Sequence, residues 1–114
     1  MKFAFRMPRF PVILDTGFAL LWARTPTELK KKVSGLAFSA ESKPRVIDST
    51  AEVFTLHPGS MLVMPSIARR PTKTELIALY NLKRSSVQPE YKATSLGSKR
   101  VERVVADIVA LFSA

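Results

Sequence analysis

Hydrophobic and polar positions change period along this chain, and the changes predict its elements. In Lys2-Phe3-Ala4-Phe5-Arg6-Met7 the apolar Phe3, Phe5 and Met7 alternate with polar or small residues. That is the mark of a half-buried strand, which Pro8 and Pro11 end. Val12-Ile13-Leu14 is a short apolar run, residues 18–23 are another, and Asp15-Thr16-Gly17 between them has turn chemistry. Thr25-Pro26-Thr27-Glu28 predicts a helix start, with Thr25 as N-cap, Pro26 at the first helical position and Glu28 closing a capping box. That helix turns Leu29 and Val33 inward and Lys30, Lys31 and Lys32 outward. It is expected to end at Ser34-Gly35, where glycine can take a positive φ. Residues 39–45 read as a polar loop containing Pro44, and Val46-Ile47 begins a further apolar stretch. Residues 52–57 and 60–64, joined by Pro58-Gly59, predict a hairpin with type II turn chemistry. Met61-Leu62-Val63-Met64 is apolar on both faces, as a central strand covered on both sides would be.

After Pro65 the period becomes helical. Thr72-Lys73-Thr74-Glu75 is a second capping box, opening a helix to about Lys83 that carries Leu76, Ile77, Leu79 and Tyr80. Residues 84–97 form a polar loop with Pro89 and Gly97, and Ser98 is placed to cap a last helix. In that helix Val101, Val104, Val105, Ile108, Leu111 and Phe112 fall along one stripe, with Lys99, Arg100, Arg103 and Asp107 on the other side. The expected fold is α+β: a small antiparallel or mixed sheet from residues 2–65, with one inserted helix and two C-terminal helices. At 114 residues the chain is expected to be a single domain with a core of its own.

Composition narrows the chemistry. Hydrophobic residues make up 46% of the chain and charged residues 24%, too apolar for disorder. With no cysteine there is no disulfide and no thiolate chemistry, which suits a reducing, cytoplasmic location. His57 is the one histidine, so no metal site built on several imidazoles is expected, and a serine–histidine hydrolase would have to run through that residue. The four glycines are scattered, without a phosphate-cradling loop, so no cofactor is expected. No apolar run has the length that spanning a membrane requires, and no membrane partner is expected. Lys2, Arg6 and Arg9 before the apolar residues 11–23 have the outline of a secretion signal. Asp15 interrupts the apolar stretch and no small-x-small cleavage site follows, so the chain is not expected to be secreted.

Charge gives the functional lead. Eighteen Lys and Arg face nine Asp and Glu, a net charge of +9 that favours polyanionic partners. The excess peaks over residues 69–103, where nine basic residues meet Glu75, Glu90 and Glu102. Arg69, Arg70 and Lys73 gather where a helix begins. Cations do nothing there for the helix, but an anion would meet both them and the free N–H groups. Arg69 and Arg70 paired with carboxylates elsewhere is the competing reading. Arg69, Arg70, Lys73, Lys99, Arg100 and Arg103 are therefore the candidate nucleic-acid or anion-binding residues of a small, non-enzymatic basic binding protein. The alternative is a protein-interaction or homo-oligomeric accessory protein with no nucleic-acid role, its interface using the same charges with Trp22 or Tyr80.

Three resemblances bear on this choice. Asp15-Thr16-Gly17 after Val12-Ile13-Leu14 resembles the active-site signature of aspartic proteases. The resemblance implies a nearly all-β homodimeric hydrolase with Asp15 as catalytic carboxylate, sharing a proton with a second one. The bulky Phe18 stands where that family has a small residue. Without that chemistry the same tripeptide is a hairpin turn in which Asp15 bonds its own backbone and Gly17 supplies φ > 0. Lys2-Phe3-Ala4-Phe5 resembles the basic-aromatic strand of RNA-recognition folds, where exposed aromatics stack on bases, against a reading as core phenylalanines. Leu79-Tyr80-Asn81 before a basic amphipathic helix resembles C-terminal segments of small proteins of mobile genetic elements.

Overall fold

The computed structural model describes residues 1–39 and 41–112. Six strands form one mixed sheet: β1 (Lys2–Phe3), β2 (Val12–Asp15), β3 (Leu20–Ala23), β4 (Arg45–Ile47), β5 (Val53–His57) and β6 (Leu62–Pro65), in the order β1-β6-β5-β4-β2-β3. Only β1 runs parallel to its neighbour, pairing Lys2 with Leu62 and Phe3 with Val63. Helix α1 (Pro26–Ser34) follows β3, and α2 (Lys73–Lys83) and α3 (Val101–Phe112) follow the sheet. This is the α+β fold that the pattern predicts.

Strand alternation sends side chains to two cores. Val12, Leu14, Ala23, Val46, Phe54, Leu56 and Val63 meet Leu29 and Val33 of α1 on one face. Ile13, Leu20, Ile47 and Val53 meet α2 and α3 on the other, through Leu76, Ile77, Tyr80, Val104, Val105, Ile108, Val109 and Phe112. Trp22 stacks on Phe112 at 5.2 Å, and Tyr80 meets the same ring edge-on at 5.4 Å. Helix α3 lies against β2 and β3. No residue of β6 belongs to this second core, so the β5–β6 end of the face is left open.

Local chemistry places most boundaries. Asp15 Oδ1 accepts from Gly17 N–H at 3.0 Å, and Gly17 has φ +92°, so the hairpin-turn reading of Asp15-Thr16-Gly17 holds. Thr25 accepts from Glu28 N–H at 3.1 Å and starts α1. Thr72 and Glu75 form the complete capping box of α2.

Other local expectations are corrected. The alternating segment 2–7 is a strand only at Lys2–Phe3. Phe5 turns the chain with φ +69° and stands 87% exposed, so it is not a core residue. Gly59 does not supply the positive φ of a type II turn. Met61 N–H bonds Pro58 O at 3.3 Å, and Met61 itself is left-handed at +53°. The β5–β6 turn thus begins at Pro58, one residue later than a proline at the second position would set it. β6 lies next to the edge, covered on one side by a two-residue strand, and is not central. Gly35 ends α1 at φ −86° without a left-handed turn. Ser98 closes a 3₁₀ turn at Leu96–Ser98 by donating to Ser95 O at 2.9 Å, and α3 starts beyond it. Lys32 is not an outward charge. Its ammonium sits 3.5 Å from the centre of the Trp22 ring and donates to Trp22 O.

Candidate functional site

Four of the six candidate basic residues line one groove. Arg70, Lys73, Lys99 and Arg100 meet there with Thr50, Ala51, Pro71, Thr72 and Val101, around a volume of about 400 Å³ that contains no carboxylate in its lining. The chain folds to bring them together because the N-terminal ends of α2 and α3 lie side by side. Lys73 makes that junction: its ammonium donates to Lys99 O at 2.7 Å and also to Leu96 O. Lys99 in turn bonds Asp107 Oδ2 at 3.2 Å and Tyr91 OH at 3.4 Å. Lys73 and Lys99 are thus structural cations that still lend charge to the groove. The Arg100 side chain is exposed and has no hydrogen-bond or ion-pair partner among the described residues. The Arg70 side chain has, among them, only Glu52, at 4.0 Å, the outer limit of an ion pair.

The other two candidates point elsewhere. Arg69 makes a two-pronged pair with Glu75, both bonds 2.8 Å, so the competing reading holds for this residue. Glu75 also accepts from Thr72 N–H at 3.0 Å, which already satisfies part of the α2 N-terminus. The Arg69 guanidinium, reinforced by the Thr72 N–H, holds the Glu75 carboxyl down at about 2. Arg103 pairs with Asp107 at 2.9 Å, one turn along α3, and is absent from the groove lining.

The Glu75 geometry has a consequence in acid. A depressed carboxyl stabilises the fold above its ordinary titration range, and that contribution is lost as pH falls through the folded value. The melting temperature is therefore expected to drop between about pH 4.5 and pH 2 partly through Glu75. Glu75→Gln, which can still cap, is expected to flatten that drop. An unchanged acid profile in this variant contradicts the assignment.

Sequence reasoning missed Arg6 and Arg9. They line a second groove, of about 310 Å³, with Met7, Asp48, Thr50, Glu52 and Arg70. Thr50 and Arg70 belong to both grooves, so the two form a continuous trough. Six cations line it against two carboxylates. Asp48 is turned to the backbone, accepting from Arg9 N–H, Thr50 N–H and hydroxyl, and Glu52 N–H at 2.7–3.1 Å. Glu52 holds Arg6 in a two-pronged pair. Asp48-Ser49-Thr50 was the available signal, since such a run is strong turn chemistry. Lys30 and Lys31 lie on α1, across the sheet from α2 and α3, whose N-termini form the first groove.

Asp15 is held in a cationic setting. Its carboxylate is almost fully buried, 3.1 Å from Arg45 Nε and 3.3 Å from Lys83 Nζ. Burial pushes its pKa up, but the Gly17 N–H, Arg45 and Lys83 outweigh burial and hold it below the ordinary value. Two cations on one carboxylate favour a permanent anion, the opposite of what a shared proton needs. The helices on both faces of the sheet also differ from the nearly all-β fold that the protease resemblance implies. Among the described residues there is no cluster of three His, Asp or Glu suited to a metal, and no helix is long and apolar enough to cross a membrane.

The fold and this trough define the class as a small α+β protein with a basic concave surface. No protein-family model matches the chain, and no curated protein or solved structure matches it either.

Proposed function

We propose that this chain is a non-enzymatic nucleic-acid-binding protein that holds the phosphate backbone in the trough from Arg6 to Arg100. The observation that carries this reading is the groove at the α2 and α3 N-termini, where Arg70, Lys73, Lys99 and Arg100 meet without a lining carboxylate. In the groove at the helix N-termini Arg70 and Arg100 make the direct contacts, because their guanidinium donors are less engaged than the Lys73 and Lys99 ammoniums. Lys73 and Lys99 fix the groove and add a field that favours phosphate. Nothing in this arrangement reads base edges, so the binding is to backbone and tolerant of sequence.

The test is charge-matched. Arg70→Ala with Arg100→Ala is expected to weaken oligonucleotide binding by about tenfold or more, the order of one or two lost charge-assisted contacts. Lys30→Ala with Lys31→Ala removes the same charge from the opposite face and is expected to change affinity less than threefold or so by long-range field alone. Equal losses in both pairs would show that net charge alone binds, and would remove the trough from the account.

A second reading is supported by one apolar surface. Leu79 and Leu82 of α2 line a groove of about 510 Å³ with Ala68, Pro71 and Ala78, rimmed by Arg45, Arg69 and Glu75, and Leu82 and nearby Ile67 are exposed. Such a surface suits a protein-contact role. Sedimentation equilibrium tests it as self-association: a monomer at all concentrations opposes a homo-oligomer.

A further inference from the structure

A groove larger than either part of the trough lies away from it. It opens at the end of the sheet where the loop before β4 meets the β5–β6 turn, and runs onto the sheet face left open by α2 and α3, with a volume of about 970 Å³. Its cationic groups are Lys43 and Arg45, and His57 adds an imidazole N–H donor. Its lining has no carboxylate; Glu41 belongs to the same loop as Ser42 and Lys43 but not to the wall. The Lys43 and His57 side chains have no hydrogen-bond or ion-pair partner among the described residues, and the Arg45 side chain uses only its Nε, on Asp15, leaving both terminal nitrogens free.

Register explains the convergence. Arg45 pairs across strands with Thr55, and Thr55 with Met64, so Arg45 and Thr55 stand side by side on the open face. His57 lies two residues beyond Thr55 on the same face. Lys43 closes the end of the row. Phe38 gives one wall an apolar ring. A fork of two free guanidinium NH2 groups, an ammonium and an imidazole around hydroxyls match the oxygens of a phosphate better than any neutral ligand. The volume is that of a small-molecule site, and an aromatic wall suits a planar or sugar group.

We propose that this groove binds a small phosphate-bearing ligand of the mononucleotide or sugar-phosphate class, held by Arg45, Lys43 and His57. The site is independent of the trough, so either assignment stands or falls without the other. Inorganic pyrophosphate and adenosine monophosphate are titrated into the full chain at low salt, with affinity read by calorimetry and location by backbone amide shifts. Saturable binding is expected, with shifts at residues 43, 45, 55–57 and 66. Lys43→Ala and His57→Ala, both at exposed positions without partners, are expected each to weaken it by about fivefold or more, and Arg70→Ala with Arg100→Ala to leave it unchanged. Arg45→Ala is set aside because it also frees Asp15. Absence of saturable binding at millimolar ligand overturns the proposal, as does binding indifferent to Lys43→Ala and His57→Ala. Loss of binding in the trough variant would assign the phosphates to the trough. If an oligonucleotide alone, and neither small phosphate, depends on Lys43 and His57, the small-ligand class is overturned.

Discussion

Phe54→Ala is expected to destabilise the protein by about 3–5 kcal/mol, the range for removing a fully buried aromatic side chain. Phe54 has no exposed surface and lies mid-sheet on β5, between Val46 of β4 and Pro65 of β6. The ladders on both sides fix the backbone, so the site cannot collapse to fill the cavity. The α1 residues above it, Leu29 and Val33, are anchored by a capped and proline-started helix. Domains of this kind have about 5–15 kcal/mol of total stability, so a loss of this size removes about a fifth or more. Denaturant unfolding is the measurement, with a lowered midpoint at an unchanged slope as the expected result. A loss below about 1 kcal/mol would contradict the placement of Phe54 at the centre of the α1-side core.

Asp48→Ala is expected to be the most damaging polar substitution, at about 3 kcal/mol. Its carboxylate satisfies three backbone N–H groups and one hydroxyl, and each buried donor left without an acceptor costs about 1–3 kcal/mol. Water reaching Thr50 offsets part of that sum. The consequence extends to binding, because Thr50 joins the two grooves of the trough and Arg9 is tethered through its own N–H to Asp48. Oligonucleotide affinity should therefore fall with stability even though a negative charge has been removed, the reverse of a purely electrostatic expectation. Asp48→Asn retains one acceptor oxygen and should cost about 1 kcal/mol. Equal destabilisation by the two substitutions would contradict the role given to Asp48.

What could be read ahead was local. Thr72 with Glu75, Thr25 with Glu28, and Asp15 with Gly17 carry their own hydrogen-bond partners within three residues, so their sequence spacing already holds the geometry. The α3 stripe is legible for the same reason, since helical period alone sets which side chains face inward. What escaped depends on partners far along the chain. β1 takes its place from β6, some sixty residues on, and the alternation of residues 2–7 contains no sign that the strand stops after Phe3. The candidate cations show the same limit. Their clustering over 69–103 was visible, but Lys73 is occupied by carbonyls at Leu96 and Lys99, and the trough is completed by Arg6 and Arg9 from the other end of the chain. Glycine at 59 and 35 suggests left-handed backbone, but Met61 takes that conformation in the β5–β6 turn and α1 ends right-handed at Gly35.

The salt dependence of binding tests the central claim most directly. Wild-type affinity for a mixed-sequence duplex is measured across monovalent salt at neutral pH, and log Kobs plotted against log salt concentration. Each neutralised phosphate contributes about −0.9 to the slope, so direct contacts from Arg70 and Arg100 predict a slope of about −2 or steeper. A slope near zero, or no binding at low salt, would contradict a trough built to hold phosphates.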